Sequence, residues 1–142
     1  MDTDPDAGGA ARYVFRIGFR LEPDVRGLSV DPGRFEATMY RRADPPGEEG
    51  WLFFRDNLWR GELSDADHFR TVTTEALGVQ VVDVSFRELQ TDEAYLETLR
   101  EAVAANPGEF RSDSVDRALA KYLGSSIRVV RGDERAPWSG SG

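Results

Sequence analysis

The first regular alternation of apolar and polar positions begins at residue 12. In RYVFRIGFRL, Tyr13, Phe15, Ile17, Phe19 and Leu21 share one side, and Val14, Arg16, Gly18 and Arg20 share the other. A period of two predicts a strand with one face in a core. After the Pro- and Gly-punctuated loop EPDVRGLSVDPGR the alternation returns, with Phe35, Ala37 and Met39 set against Glu36, Thr38 and Tyr40, and predicts a second strand. ADPPGEEG is a turn, and WLFFR, with large apolar groups on both sides, is expected as a third strand. From residue 64 the period becomes helical. Ser64 and Asp67 form an S-x-x-D capping box, Phe69, Val72, Ala76 and Leu77 follow at helical spacing, and Gly78 supplies the stop. VQVVDVSFREL predicts a fourth strand. Thr91 is expected to cap a second helix with Leu96, Leu99 and Val103 on one face, ended by Asn106-Pro107-Gly108. A third helix spans about Asp113 to Leu123, with Val115, Leu119 and Tyr122 inward and Gly124 after it.

Strands joined by loops too short for a helical crossover pair antiparallel, and helices that follow them cover one sheet face. The expected fold is therefore α+β: a single two-layer domain over residues 12–131, with a mainly antiparallel sheet and about three helices on one face. The sheet has four strands, five if the terminal piece SSIRVV pairs at an edge, and the sequence leaves open whether that pairing is internal or with a second copy. Residues 1–11 and 132–142 show no periodicity and are expected to be disordered tails. The uncovered face of the sheet should carry Arg16, Arg20, Glu36, Thr38 and Tyr40.

A chain of 142 residues fits one domain that buries roughly 68–70% of its unfolded surface. It has no cysteine, which excludes disulfides, thiolate zinc sites and cysteine nucleophiles. No apolar run approaches the roughly 18 residues that span a bilayer, and the acidic MDTDPDAGGA is unlike a signal peptide, so a soluble cytoplasmic protein is expected. Charge changes the picture further. There are 26 acidic against 18 basic residues, a formal net charge of −8, and Lys121 is the only lysine. An acidic surface that avoids the long lysine stem suits a cytoplasm at molar salt, where the Debye length is about 3 Å and self-repulsion is screened. A GC-rich genome would also enrich arginine, without physical selection; the acid excess together with the lysine loss favours the saline reading.

Residues 56–63, DNLWRGEL, set Trp59 and Arg60 side by side in a connector. A tryptophan face beside a guanidinium suits stacking on a base or clamping an anion. Alternatively the indole plugs the end of the core and Arg60 pairs with Glu62 or Asp56, a structural clasp, which is the more common role of an aromatic in a small domain. The stretch FRDNLWRGE, in a short acidic arginine-rich chain, resembles the LWR-salt proteins, small proteins of halophilic archaea named for the tripeptide occupied here by Leu58, Trp59 and Arg60. The resemblance implies halophilic origin and no particular activity, ligand or cofactor.

Arg34, Arg41, Arg42 and Arg55 lie near Trp51, Phe53 and Phe54 in sequence, and a sheet with exposed aromatics can stack bases. Against this stand the net charge and the loss of phosphate contacts as salt rises. Asp65 and His68 share a helix face, but two ligands do not hold zinc, so His68 reads as an ordinary first-turn residue. Asp83, in a strand of valines, needs a partner such as Arg16 or Arg20 if it points inward, and is ordinary if it points to the open face. Neither G-x-x-x-x-G-K-[ST] nor G-x-G-x-x-G occurs. The sequence thus favours a protein-binding domain over an enzyme, with no cofactor and no metal; the alternative is a nucleic-acid-binding regulator. The candidate residues are Trp59, Arg60, Arg16, Arg20 and Tyr40, with Arg41 and Arg42 added for nucleic acid.

Overall fold

The computed structural model describes residues 10–21, 27 and 34–130, so the expected tails lie almost entirely outside the described residues. Ala10 and Ala11 are the exception: Ala11 is the first residue of β1 (Ala11–Arg20), one position earlier than the alternation suggested. β2 follows as Arg34–Arg42, then a short α1 (Phe53–Asn57) and two short strands, β3 (Leu58–Trp59) and β4 (Glu62–Leu63). α2 (Ala66–Leu77), β5 (Gln80–Asp92), α3 (Glu93–Ala105), a 3-10 turn (Pro107–Glu109), α4 (Val115–Leu123) and β6 (Ile127–Val130) complete the order.

The main sheet has four strands in the order β2-β1-β5-β6. β1 pairs antiparallel with β2, Val14 opposite Tyr40 and Arg16 opposite Thr38, and antiparallel with β5 through two register shifts. β6 lies parallel to β5, with Leu89 opposite Ile127, after a crossover through α3 and α4. SSIRVV therefore supplies an edge strand within the chain, and the sheet is mixed rather than purely antiparallel. The helices bury one sheet face. Tyr13, Phe15, Ile17, Val81, Val84, Phe86 and Leu89 from the strands meet Tyr95, Leu99, Val103, Leu119 and Leu123 from α3 and α4 in one core. None of the helices is long and apolar enough to cross a membrane among the described residues.

WLFFR is not a strand. Its last three residues open α1, and the rings spread to several sides because this single turn is wedged into the core. Phe53 packs on Tyr13 with ring centroids 4.6 Å apart, Phe54 stacks on Phe110 at 5.7 Å, and Trp51 meets Phe110 edge-on at 5.9 Å. A short apolar run with no polar side fits either element, and here packing from two sides selects the helix. Two caps sit one residue later than expected. Asp65, not Ser64, accepts from the His68 amide at 3.1 Å, while the Ser64 amide donates to Asn57 O. Asp92, not Thr91, caps α3 by accepting from the Tyr95 amide at 2.8 Å, and its other oxygen accepts from Ala10 N at 2.9 Å. The inward face of α2 is rotated too: Thr73 is buried and Phe69 packs on the core, whereas Val72 and Leu77 are exposed.

Candidate functional site

The tripeptide region folds as a miniature hairpin. Leu58 pairs with Leu63 and Trp59 with Glu62, and the two strands are joined by Arg60 and Gly61 alone. Both central residues have positive φ, +55° and +83°, the pair that a two-residue type I′ turn requires. Glycine at the second position meets this freely; arginine at the first does not, and asparagine is the ordinary occupant. The turn is held by the end of α4. The Arg60 amide donates to Lys121 O and the Gly61 amide to Tyr122 O, each at 2.9 Å, while Gly124 N donates to Ala120 O and Ser126 N to Leu123 O. The last four carbonyls of α4, which no helix satisfies internally, are thus all occupied, two of them by this hairpin.

The side chains complete the same attachment. Leu58 is buried. Trp59 lies edge-on to Tyr122 at 5.9 Å, and the guanidinium of Arg60, a residue whose amide is bonded to the last turn of α4, sits 5.7 Å from the indole centroid and so brings a cation toward the negative helix end. Lys121, on the last turn of the same helix, donates from Nζ to Phe110 O at 2.9 Å and lies 5.5 Å from the Tyr122 ring. Trp59 remains 45% exposed, so it does not plug the core as the clasp reading supposed; it covers Tyr122 from outside. Nor does Arg60 pair with Asp56, whose carboxylate is taken by Arg55, or with Glu62, among the described residues. The approach of the two segments is close: a Cβ on Gly124 would stand 3.2 Å from Arg60 C and O, and one on Gly61 3.1 Å from Leu123 O. Leu58, Trp59, Arg60 and Gly61 form a C-terminal cap for α4.

The uncovered sheet face is the second candidate, and it gathers charge. Cross-strand register puts Arg12, Arg16 and Arg20 of β1 beside Arg34, Glu36, Thr38, Tyr40 and Arg42 of β2. Asp83, Glu88 and Gln90 of β5 share this side, with Arg128 of β6 opposite Gln90. Arg16 is hydrogen-bonded to Glu36, and Arg34 to Asp83. The second bond bridges β2 to β5 across the intervening strand, over Gly18, where a Cβ would meet Arg34 Nη2 at 2.7 Å and Asp83 Oδ2 at 2.9 Å. Asp83 thus points to the open face and pairs with Arg34, rather than with Arg16 or Arg20. Arg12 lies over the Tyr40 ring at 3.7 Å and donates to Gln90 Oε1 at 3.0 Å. Arg20 and Arg42 make no ion pair among the described residues.

Of the sequence-predicted residues, the structure brings Arg16, Arg20, Tyr40 and Arg42 together on this face. Arg41, opposite Tyr13, is on the helix-covered side with its guanidinium 4.5 Å from the Phe53 centroid. Trp59 and Arg60 belong to the hairpin on α4. The proposed grouping of Arg34, Arg41, Arg42 and Arg55 around Trp51, Phe53 and Phe54 is broken up: Phe54 is buried, Arg55 is engaged by Asp56 and Glu109, and Arg34 is on the open face. Arg12, Arg34, Asp83 and Arg128 were not singled out for the face. The alternation of Arg12 with Arg16 and of Arg34 with Glu36 carried a signal for two of them; Arg128 depends on the parallel register of β6, which periodicity does not reveal. His68 is an exposed first-turn residue, and among the described residues no group of three or more His, Asp or Glu is placed to hold a metal ion.

Neither the curated proteins nor the solved structures contain a match to this chain. A family model, that of the LWR-salt proteins, matches residues 9–133, which takes in the described sheet, all four helices and the hairpin cap. That match spans most of the sequence and includes Leu58, Trp59 and Arg60, and on it the chain belongs to the LWR-salt protein family.

Proposed function

We propose that this protein is a non-enzymatic interaction domain of a salt-rich, halophilic cytoplasm, and that the open sheet face binds an acidic surface of a partner protein. The observation that carries the reading is the segregation of charge. Six arginines, Arg12, Arg16, Arg20, Arg34, Arg42 and Arg128, share the face with three carboxylates, Glu36, Asp83 and Glu88, on a chain whose formal net charge is −8. Arg16 and Arg34 are taken by internal carboxylates and Arg12 by Tyr40 and Gln90, which leaves Arg20 and Arg42 as the guanidiniums on this face available, among the described residues, to a partner's carboxylates. The hairpin cap supports the same division of labour, since its tryptophan and arginine serve α4.

Nucleic acid remains the second reading, favoured by the arginines and disfavoured by the aromatics: among the described residues Tyr40 is the one exposed ring on the face, and Arg12 covers it. The test is fluorescence anisotropy of a labelled oligoglutamate and of a single-stranded oligonucleotide of equal charge, in about 0.15 M and about 2 M KCl. Oligoglutamate should bind, and Arg20→Ala with Arg42→Ala, which breaks no internal ion pair, should weaken it roughly tenfold. Unchanged binding in the double variant, or none in the parent, overturns the proposal. Loss of oligonucleotide binding alone transfers the face to nucleic acid.

A further inference from the structure

A cleft separate from the open face lies where β2 meets the turn before α1, on the helix-covered side of the sheet. Its space of about 510 Å³ is within the range of small-molecule sites. Arg41, Glu48, Glu49, Trp51, Asp56 and Asn57 line it. Arg41 rests on Phe53 and has no carboxylate partner among the described residues, although three carboxylates border the same cleft. Glu48 and Glu49 are likewise unpaired there, whereas Asp56 is taken by Arg55. Opposite charges left unneutralised around one cavity are complementary to a ligand that carries both.

The walls are ordered. Glu48 N donates to Pro45 O, Trp51 N to Glu48 O and Phe53 N to Gly50 O, so consecutive hydrogen-bonded turns hold the acidic rim. Gly50, at φ +91°, lets the Asp44 carboxylate press against its Cα, leaving no room for a side chain. Trp51 packs edge-on against Phe54 and Phe110 and, partly buried, lines the cleft. Asn57 donates its amide to Phe53 O at 3.0 Å, which turns its side-chain oxygen into a remaining acceptor.

We infer that this cleft binds a small zwitterion, its carboxylate on Arg41 and its ammonium between Glu48, Glu49 and the Trp51 ring. An organic ammonium is attracted both by the carboxylates and by an indole face. A bidentate guanidinium contact then orients the other end. A ligand bearing one charge alone would leave half of the cleft unsatisfied.

The test uses the full chain and three probes: glycine betaine, choline as its cationic half and acetate as its anionic half, followed by the Trp51 indole N–H resonance and by calorimetry. Betaine should shift that resonance and bind at least roughly tenfold more tightly than either half. Arg41→Ala should lower betaine affinity roughly tenfold and leave choline unchanged, and Glu48→Gln with Glu49→Gln should weaken betaine and choline together. Arg20→Ala with Arg42→Ala should leave betaine binding intact, which separates this site from the open face. No shift of the indole up to about 0.1 M betaine, or betaine binding indifferent to Arg41→Ala in a variant with parental melting, overturns the inference.

Discussion

Arg60 has a conformation that its residue type disfavours, and two substitutions at this one position measure what compensates for it. A left-handed backbone with a Cβ costs about 1 kcal/mol. Offsetting it, the guanidinium over Trp59 contributes about 0.5–1 kcal/mol and its charge at the end of α4 a further 0.3–1 kcal/mol, roughly. Arg60→Ala removes both contributions and keeps the Cβ, so it should destabilise by about 1–2 kcal/mol. Arg60→Gly removes the same contributions but also relieves the backbone, and should stay within about 1 kcal/mol of the parent. Neither touches the amide bonds to Lys121 O and Tyr122 O. For a domain of this size the glycine variant should melt about 3 °C above the alanine variant. Thermal denaturation by circular dichroism in about 2 M KCl reads this directly. An alanine variant as stable as the glycine variant would refute the strain argument. A glycine variant down by more than about 3 kcal/mol would mean that the guanidinium has a role beyond Trp59 and the helix end.

Other consequences are as open to measurement. Gly124→Ala places a Cβ 3.2 Å from Arg60 C and O at φ +62°, and should lower stability by about 2–3 kcal/mol in chemical denaturation, more than alanine at the solvent-open Gly108. Tyr13 and Tyr95 both have hydroxyls pushed above the ordinary tyrosine value of about 10, chiefly by burial, with Tyr95 raising Tyr13 and Asp44 raising Tyr95. Their protons leave the unfolded chain first, so stability should be complete below pH about 10 and fall as pH rises above it; Tyr13→Phe should flatten that fall in urea midpoints. With a formal net charge of −8, the unfolding midpoint should climb from low salt to about 2 M KCl, and a flat profile would count against salt adaptation.

How much of this was legible depended on whether a residue's role was local. β1 was readable because Tyr13, Phe15 and Ile17 alternate with Arg16 and Gly18 across a sheet that is apolar on one side only. The same logic placed Tyr40 and Arg16 on the open face, since a shared strand period implies a shared side. Trp51 to Phe54 defeated it, because rings that enter a core from several directions leave no polar face to mark the element. The role of Arg60 and Gly61 was not legible at all. Their amides complete a helix that ends some sixty residues later, and no local pattern announces a cap supplied from so far along the chain. Even Asp83 needed the three-dimensional register, since its partner Arg34 lies on β2, a strand with which β5 does not pair.

One feature of that helix end makes the protein useful as its own probe. Lys121 is the chain's only lysine, and its ammonium is occupied by the Phe110 carbonyl. An amine-reactive acylating reagent therefore has one side-chain target, and reaction there requires the ammonium to leave that carbonyl and lose its proton. The rate at which Lys121 is acylated, followed by intact mass and peptide mapping, then reports how often its hydrogen bond to the Phe110 carbonyl is open. Crosslinkers that depend on lysine pairs, by the same arithmetic, would pass over a complex on the arginine face without recording it.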